Sequence, residues 1–206
     1  MTTGQRDHWD NVYYTKDEAE VSWFQETPNP SLDLLTLVGA KAESAIIDIG
    51  GGASRLVDTL VAVGFKDVSV LDLSAKALNV ARTRLGDAGT QVKWITADAV
   101  EWEPPQLYDI WHDRAAFHFL NSELQKRSYI ERIQQSLRIG GHVIIGTFAL
   151  DGPEKCSGLD VTRYSKESLS ALLGIGFDLI DSREHKHSTP WGASQKFQFS
   201  TFKHVF

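Results

Sequence analysis

Asp48, Asp72 and Asp98 each stand at the C-terminal end of a short apolar run, and three glycines, Gly50, Gly51 and Gly52, follow the first of them. Carboxylates so placed accept hydrogen bonds from hydroxyl or amino groups and attract a cation. Glycines let a ligand approach the backbone closely, because no Cβ stands in the way. The segment Ala45–Ser54 reads as a buried strand and a glycine turn, and a helix follows with Leu56, Val57, Leu60 and Val61 on helical spacing. That is the entrance to a nucleotide-binding α/β unit. Gly50 and Gly52 fit a dinucleotide turn, but the third glycine position holds Arg55, and Asp48 precedes the turn. A carboxylate beside a pyrophosphate is repulsive, whereas beside a sulfonium or an ammonium it is favourable. The pattern therefore favours S-adenosylmethionine over NAD.

Strand and helix alternate along the rest of the chain. Val68–Leu71 is a second apolar strand; Ser74 is placed to cap a helix running to Leu85, and Gly86 ends it. Val92–Thr96 and Tyr108–Trp111 are the third and fourth strands. Ser122 and Gln125 form a capping-box pattern ahead of Tyr129, Ile130, Ile133 and Leu137. Gly140 and Gly141 lead into a fifth strand, His142–Phe148. A helix near Ser165–Leu173 precedes strands near Asp178–Ser182 and Lys196–Phe202. The order predicts an α/β fold: a Rossmann-like, seven-stranded, mostly parallel sheet with a C-terminal antiparallel hairpin. Ligands of such sheets bind beyond the carboxyl ends of the strands. Residues 1–30, closed by Pro28 and Pro30, read as an N-terminal extension laid over the cofactor site, and residues 31–206 as a single domain.

The Asp48-x-Gly50-x-Gly52 run resembles the first motif of class I methyltransferases, which often carry a third glycine where this chain has Ser54. The resemblance implies cofactor contacts from Trp23, Asp48, Gly50, Gly52, Asp72, Leu73, Asp98 and Ala99. Asp72 would accept from both ribose hydroxyls, and Asp98 from the adenine amino group beside small neighbours. As plain structure, Asp72 is a helix cap and Asp98 a strand-end turn residue. Within that class, Tyr108–Phe117, which includes Trp111-His112-Asp113-Arg114-Ala115-Ala116, resembles the Trp-Asp-Arg-Gly-Ala-Leu motif of thiopurine S-methyltransferases. Trp23-Phe24-Gln25 resembles their Phe-His-Gln element, and Glu184-His185-Lys186-His187 with Trp191-Gly192 resembles their His-Lys-Ser-Trp-Gly turn. Ala115 replaces the family's glycine, and His112 its tryptophan. A group of protein-lysine methyltransferases is also similar, through Gly52–Leu60, Gly64–Ser74 and the His8–Tyr13 segment. Those enzymes carry Asp-Lys-Gly-Thr where this chain has Asp113-Arg114-Ala115-Ala116.

The resemblance to the thiol-methylating enzymes implies S-methylation of a small-molecule thiol or sulfide, with S-adenosylhomocysteine as the product left by the cofactor. The lysine group implies N-methylation of a protein, and a non-catalytic S-adenosylmethionine-binding protein is a third reading. The catalytic candidates are Arg114, to stabilise a thiolate or anchor an anionic acceptor, with His112 and Asp113 beside it. An ion pair between Arg114 and Asp113 is the structural alternative. His118, between Phe117 and Phe119, reads as a core histidine. Trp9, Tyr13, Trp23, Phe24 and Gln25 read as a lid whose rings suit a sulfonium, or as rings that tack the extension to the core. His185 and His187 read as part of the edge hairpin near the substrate mouth, with no metal site expected from them, and Cys156 reads as a small packed side chain or, alternatively, as part of the acceptor pocket.

Composition sets the outer bounds. The chain has 206 residues, one cysteine and a net charge of −6. That length buries a full-sized core. The charge argues against a broad nucleic-acid surface. No apolar run reaches about 18 residues, so no membrane span is expected. A single cysteine fits a reducing cytoplasm. The expected partner is a small-molecule methyl acceptor, with the protein a monomer or homodimer.

Overall fold

The computed structural model describes residues 3–206. Strand β1 (Ala45–Ile49) is buried along its whole length, and its residues alternate between two cores. Ile46 packs with Leu34, Leu35, Leu56, Leu60 and Leu78 on one face; Ile47 and Ile49 pack with Tyr129, Ile133, Leu169 and Leu173 on the other. This period of two, apolar on both sides, is what a strand needs when helices cover both faces of a parallel sheet. Helices α2 (Asn29–Leu37), α3 (Leu56–Ala62) and α4 (Ala75–Leu85) supply the first layer, and α5 (Glu123–Ser136) and α6 (Lys166–Leu173) the second.

β2 (Asp67–Asp72), β3 (Lys93–Thr96), β4 (Tyr108–Arg114) and β5 (Leu137–Phe148) complete the parallel part. After the small hairpin of β6 (Lys155–Cys156) and β7 (Leu159–Asp160), β8 (Phe177–Ser188) and β9 (Ser194–His204) close the chain. The strand order is β3-β2-β1-β4-β5-β9-β8, with β9 antiparallel to both its neighbours. The expected seven-stranded sheet and its terminal hairpin are thus both present. The last two strands extend well beyond the expected ranges, because they pair with each other from Phe177↔His204 to Ser188↔Ser194.

Two helices lie in the region read as an extension or its border. Helix α1 (Thr3–Thr15) is followed by a short 3-10 turn at Glu18–Glu20, capped by Asp17, and then by α2 with Pro30 in its first turn. The capping box expected at Ser122 and Gln125 is formed, and Ser165 and Ser168 make a second at the head of α6. Among the described residues, no helix is long and apolar enough to cross a membrane.

Candidate active site

A cavity opens beyond the carboxyl ends of β1, β2 and β4. Its floor is the glycine turn. Gly50 takes φ +66°, and a Cβ there would stand 2.5 Å from Ala116 Cβ, so only glycine fits where the turn after β1 meets the turn after β4. A Cβ on Gly52 would stand 2.9 Å from Asp72 Oδ2, which keeps the carboxylate within reach of whatever lies over the turn.

One wall carries Asp72 at the end of β2 with Leu71, Leu73, Ala97 and Ala99 beside it. Asp72 accepts the Ser74 amide at 2.8 Å. Burial pushes its pKa up to about 7 against that bond, and the charges of Asp48 and Asp10 add to the rise. A half-buried carboxylate short of donors, next to a slot of apolar and small side chains, suits a ribose with an adenine behind it. Asp98 itself turns aside to accept the Val100 amide at 3.1 Å, while its neighbours Ala97 and Ala99 line the cavity. Asp48 lies beneath the turn, with Oδ1 bound to His112 and Oδ2 buried without a partner.

The opposite wall consists of Arg114, Ala115, Ala116, Phe119 and Cys156. Ala115 holds φ +68°, a left-handed conformation that costs an alanine on the order of 1–3 kcal/mol and that a glycine would adopt freely. Arg114 donates from Nη1 to the Trp23 carbonyl at 2.9 Å and lies over the Phe197 ring at 5.2 Å. Its Nε and Nη2 are buried and have no partner. Burial lowers its pKa to about 10, which leaves it charged at neutral pH. The ion pair with Asp113 is not formed. Burial pushes the Cys156 thiol up to about 12, with Arg114 pulling the other way, so this cysteine is a neutral wall residue.

The roof is aromatic. Trp9 and Tyr13 from α1 line the cavity with Trp23, whose Nε1 donates to the Tyr13 hydroxyl at 3.2 Å. Trp9 meets Trp23 edge-on at 5.6 Å and Phe119 at 5.1 Å. Phe24 and Gln25 line a smaller adjoining pocket that Arg114 and Trp23 share.

Two of the residues expected in catalysis lie elsewhere. His112 is buried behind the cavity, where Nδ1 donates to Asp48 at 2.6 Å and Nε2 accepts from the Ser31 hydroxyl at 2.8 Å. Asp113 points to the opposite face of β4. It accepts the amides of Ala116 at 2.9 Å and Phe117 at 3.0 Å together with the Tyr129 hydroxyl, and burial raises its pKa to about 6. Strand alternation explains the split, since His112 and Arg114 share one side and Asp113 faces the other. His118 is a core residue between Phe119 and Phe148, and burial drops its pKa to about 3. His187 Nε2 donates to the Ser22 carbonyl at 2.7 Å. Ser31 and Phe119 carried no signal in the sequence, because neither belongs to a local motif.

Residues 46–141 match the family model described as a methyltransferase domain. The cavity's carboxylate, its slot of small and apolar side chains and its glycine floor suit an adenosine-bearing ligand. A ubiquinone biosynthesis O-methyltransferase of Nitrosomonas europaea is 32% identical over 145 residues, 69% of this chain and 54% of the relative. EEF1A lysine methyltransferase 2 of Danio rerio is 23% identical over 194 residues, 86% of this chain and 76% of the relative. The fold also matches that of the N-methyltransferase NodS of Bradyrhizobium japonicum, solved with S-adenosyl-L-homocysteine. That match has a TM-score of 0.72 at 16% identity, over 97% of this chain and 98% of that one. The chain spans about half the length of the first curated relatives it matches.

Proposed function

We propose that this chain is an S-adenosylmethionine-dependent methyltransferase acting on a small nucleophile within the covered cavity, with a thiol or sulfide as the favoured acceptor. The observation that carries this reading is one chamber with Asp72 and the glycine turn on one side and the charged Arg114 on the other. Bound S-adenosylmethionine supplies a methyl group already activated as an electrophile by its sulfonium. The protein's task is to bind, align and exclude water, and ordered alignment lowers a barrier by up to ~7–11 kcal/mol. Asp72 would hold the ribose hydroxyls, Leu73 and Ala99 would flank the adenine, and the Trp23 ring in the cavity wall would favour the cationic end.

A thiol reacts as its thiolate, and a reference pKa of about 8.5 leaves most of it protonated at neutral pH. Arg114 on the acceptor wall favours the ionised form, and the proton leaves to solvent as the acceptor binds. The same cation disfavours entry of a lysine ammonium. Protein-lysine N-methylation remains the second reading, favoured by the extent of the alignment with the Danio rerio lysine methyltransferase.

Methyl-labelled S-adenosylmethionine separates the two. The protein is offered a panel of small thiols, including sulfide and aromatic thiols, and in parallel an intact and a deproteinised cell lysate. Label is expected in a small or volatile thioether. Label found only in protein bands replaces this reading with lysine methylation.

A further inference from the structure

We propose that the Nε–Nη2 edge of Arg114 is a receptor for a carboxylate on the methyl acceptor, so that the substrate is an organic acid with its nucleophilic atom close to that group. This deepens the methyltransferase reading and rests on it. A guanidinium presents its donors on distinct edges of one plane. Here Nη1 is fixed by the Trp23 carbonyl at 2.9 Å. Nε and Nη2, which share the next edge, are both buried and both without a partner. Two parallel N–H groups match the two oxygens of a carboxylate, whereas a single thiolate or phenolate atom uses such an edge poorly. A buried cation left unpaired is costly, and a ligand that completes it removes the cost.

Among the described residues, no carboxylate fills the role. Asp113 is turned to the other face of β4 and bound to amides and Tyr129. Asp48 directs Oδ1 to His112. Cys156 on the same wall is a neutral thiol. The position of the guanidinium favours the acceptor over the cofactor as the source of the anion. It lies over Phe197 of β9. That is the β5–β9–β8 side of the chamber, away from Asp72 and the adenine slot beside β2 and β3.

The test uses the full chain loaded with S-adenosylhomocysteine and matched probes that differ by one carboxylate: thiophenol against the three mercaptobenzoates, and a short alkanethiol against the corresponding mercaptoalkanoate. Calorimetry is expected to give at least one acid a preference of about tenfold or more over its neutral partner. Arg114→Gln, measured at saturating S-adenosylhomocysteine, abolishes the preference. Arg114→Lys keeps the charge without the edge and restores only part of it. Wild-type protein that shows no carboxylate preference overturns the proposal, as does a preference that survives in Arg114→Gln. If Arg114→Gln weakens S-adenosylhomocysteine but not 5′-methylthioadenosine, which lacks the amino-acid carboxylate, the edge belongs to the cofactor and the acceptor assignment falls. Wild-type protein that binds no S-adenosylhomocysteine strikes down the methyltransferase reading itself, and this proposal with it.

Discussion

Asp48 has one oxygen bound to His112 and the other buried beneath the glycine turn. With Ser31 on the far side of the imidazole, the three side chains form an Asp–His–Ser chain at 2.6 and 2.8 Å. Such a row can activate a hydroxyl nucleophile, but Ser31 is fully buried in α2 and no acyl group can reach it. What the row does is fix the Asp48 carboxylate and tie α2 to β1 and β4. The fixed charge matters beyond the row, because it helps to raise the pKa of Asp72 and offsets part of the burial that lowers that of Arg114. Replacing His112 by alanine leaves a buried carboxylate and a buried hydroxyl unpaired, at a cost of ~1–3 kcal/mol for each unsatisfied group. We expect His112→Ala to lower the denaturation midpoint by that order and to weaken S-adenosylhomocysteine binding as Asp48 shifts. A variant with wild-type stability and affinity would remove the row from any role in the site.

The N-terminal strap is held at one side chain above all. Arg84 of α4 reaches Glu18, the Asp58 carboxylate at 2.5 and 2.7 Å, and the carbonyls of Ala53 and Ser54 at 3.1 and 3.0 Å. Arg55 joins Glu18 at 2.5 Å, and Asp10 of α1 accepts from Ser74 at 2.6 Å. These bonds anchor the turn at Glu18–Glu20 to the end of the glycine turn and hang the Trp9–Tyr13–Trp23 roof between two fixed points. Arg84→Ala should therefore loosen residues 16–28 with little effect on the sheet. The expected signs are faster amide exchange confined to that stretch and faster release of S-adenosylhomocysteine, with affinity down roughly tenfold. Exchange that quickens evenly through the core would show the clamp to be part of global stability instead. The strap also marks where the sequence stops being readable. In α5 the capping box announces the helix, whereas α1 has Gly4, Asp7, Asp10 and Asn11 and no continuous apolar stripe, so its helix depends on Trp9 packing against Phe119 and Trp23. The same contrast holds within the site. Gly50, Gly52 and Asp72 are legible because a strand and its turn are local. The partners of His112 and Arg114 are not, since Ser31 and Trp23 lie 81 and 91 residues away in the chain.

At the scale of the whole molecule, the sheet gathers like charges at its carboxyl end and screens them from water, and this couples ligand binding to pH. Asp72 and Asp113 hold their protons to about 7 and about 6 in the folded chain. An unfolded aspartate releases its proton near pH 3.9, so between that value and about 7 the folded state binds more protons, and both residues make stability fall as pH rises. His118 acts oppositely. Its folded pKa of about 3 lies below its unfolded value, so the stability tied to its neutral form is lost as pH falls below about 6.5. The two effects overlap, and the melting temperature of the free protein mixes them. The shift in melting temperature caused by the ligand isolates Asp72, because ribose hydroxyls donate to its ionised form. Below about pH 7 binding must first remove the proton, so S-adenosylhomocysteine affinity should rise about tenfold from pH 6 to pH 8. At fixed excess ligand that is an added stabilisation of about 1.4 kcal/mol. Scanning calorimetry across this range, with and without ligand, reads the difference directly. In Asp72→Asn no proton is released on binding, and the ligand-induced shift should become smaller and level across the range. A level response in the wild type would mean that Asp72 binds its ligand already ionised, or does not bind it at all, and only the second is compatible with an unchanged affinity in the variant.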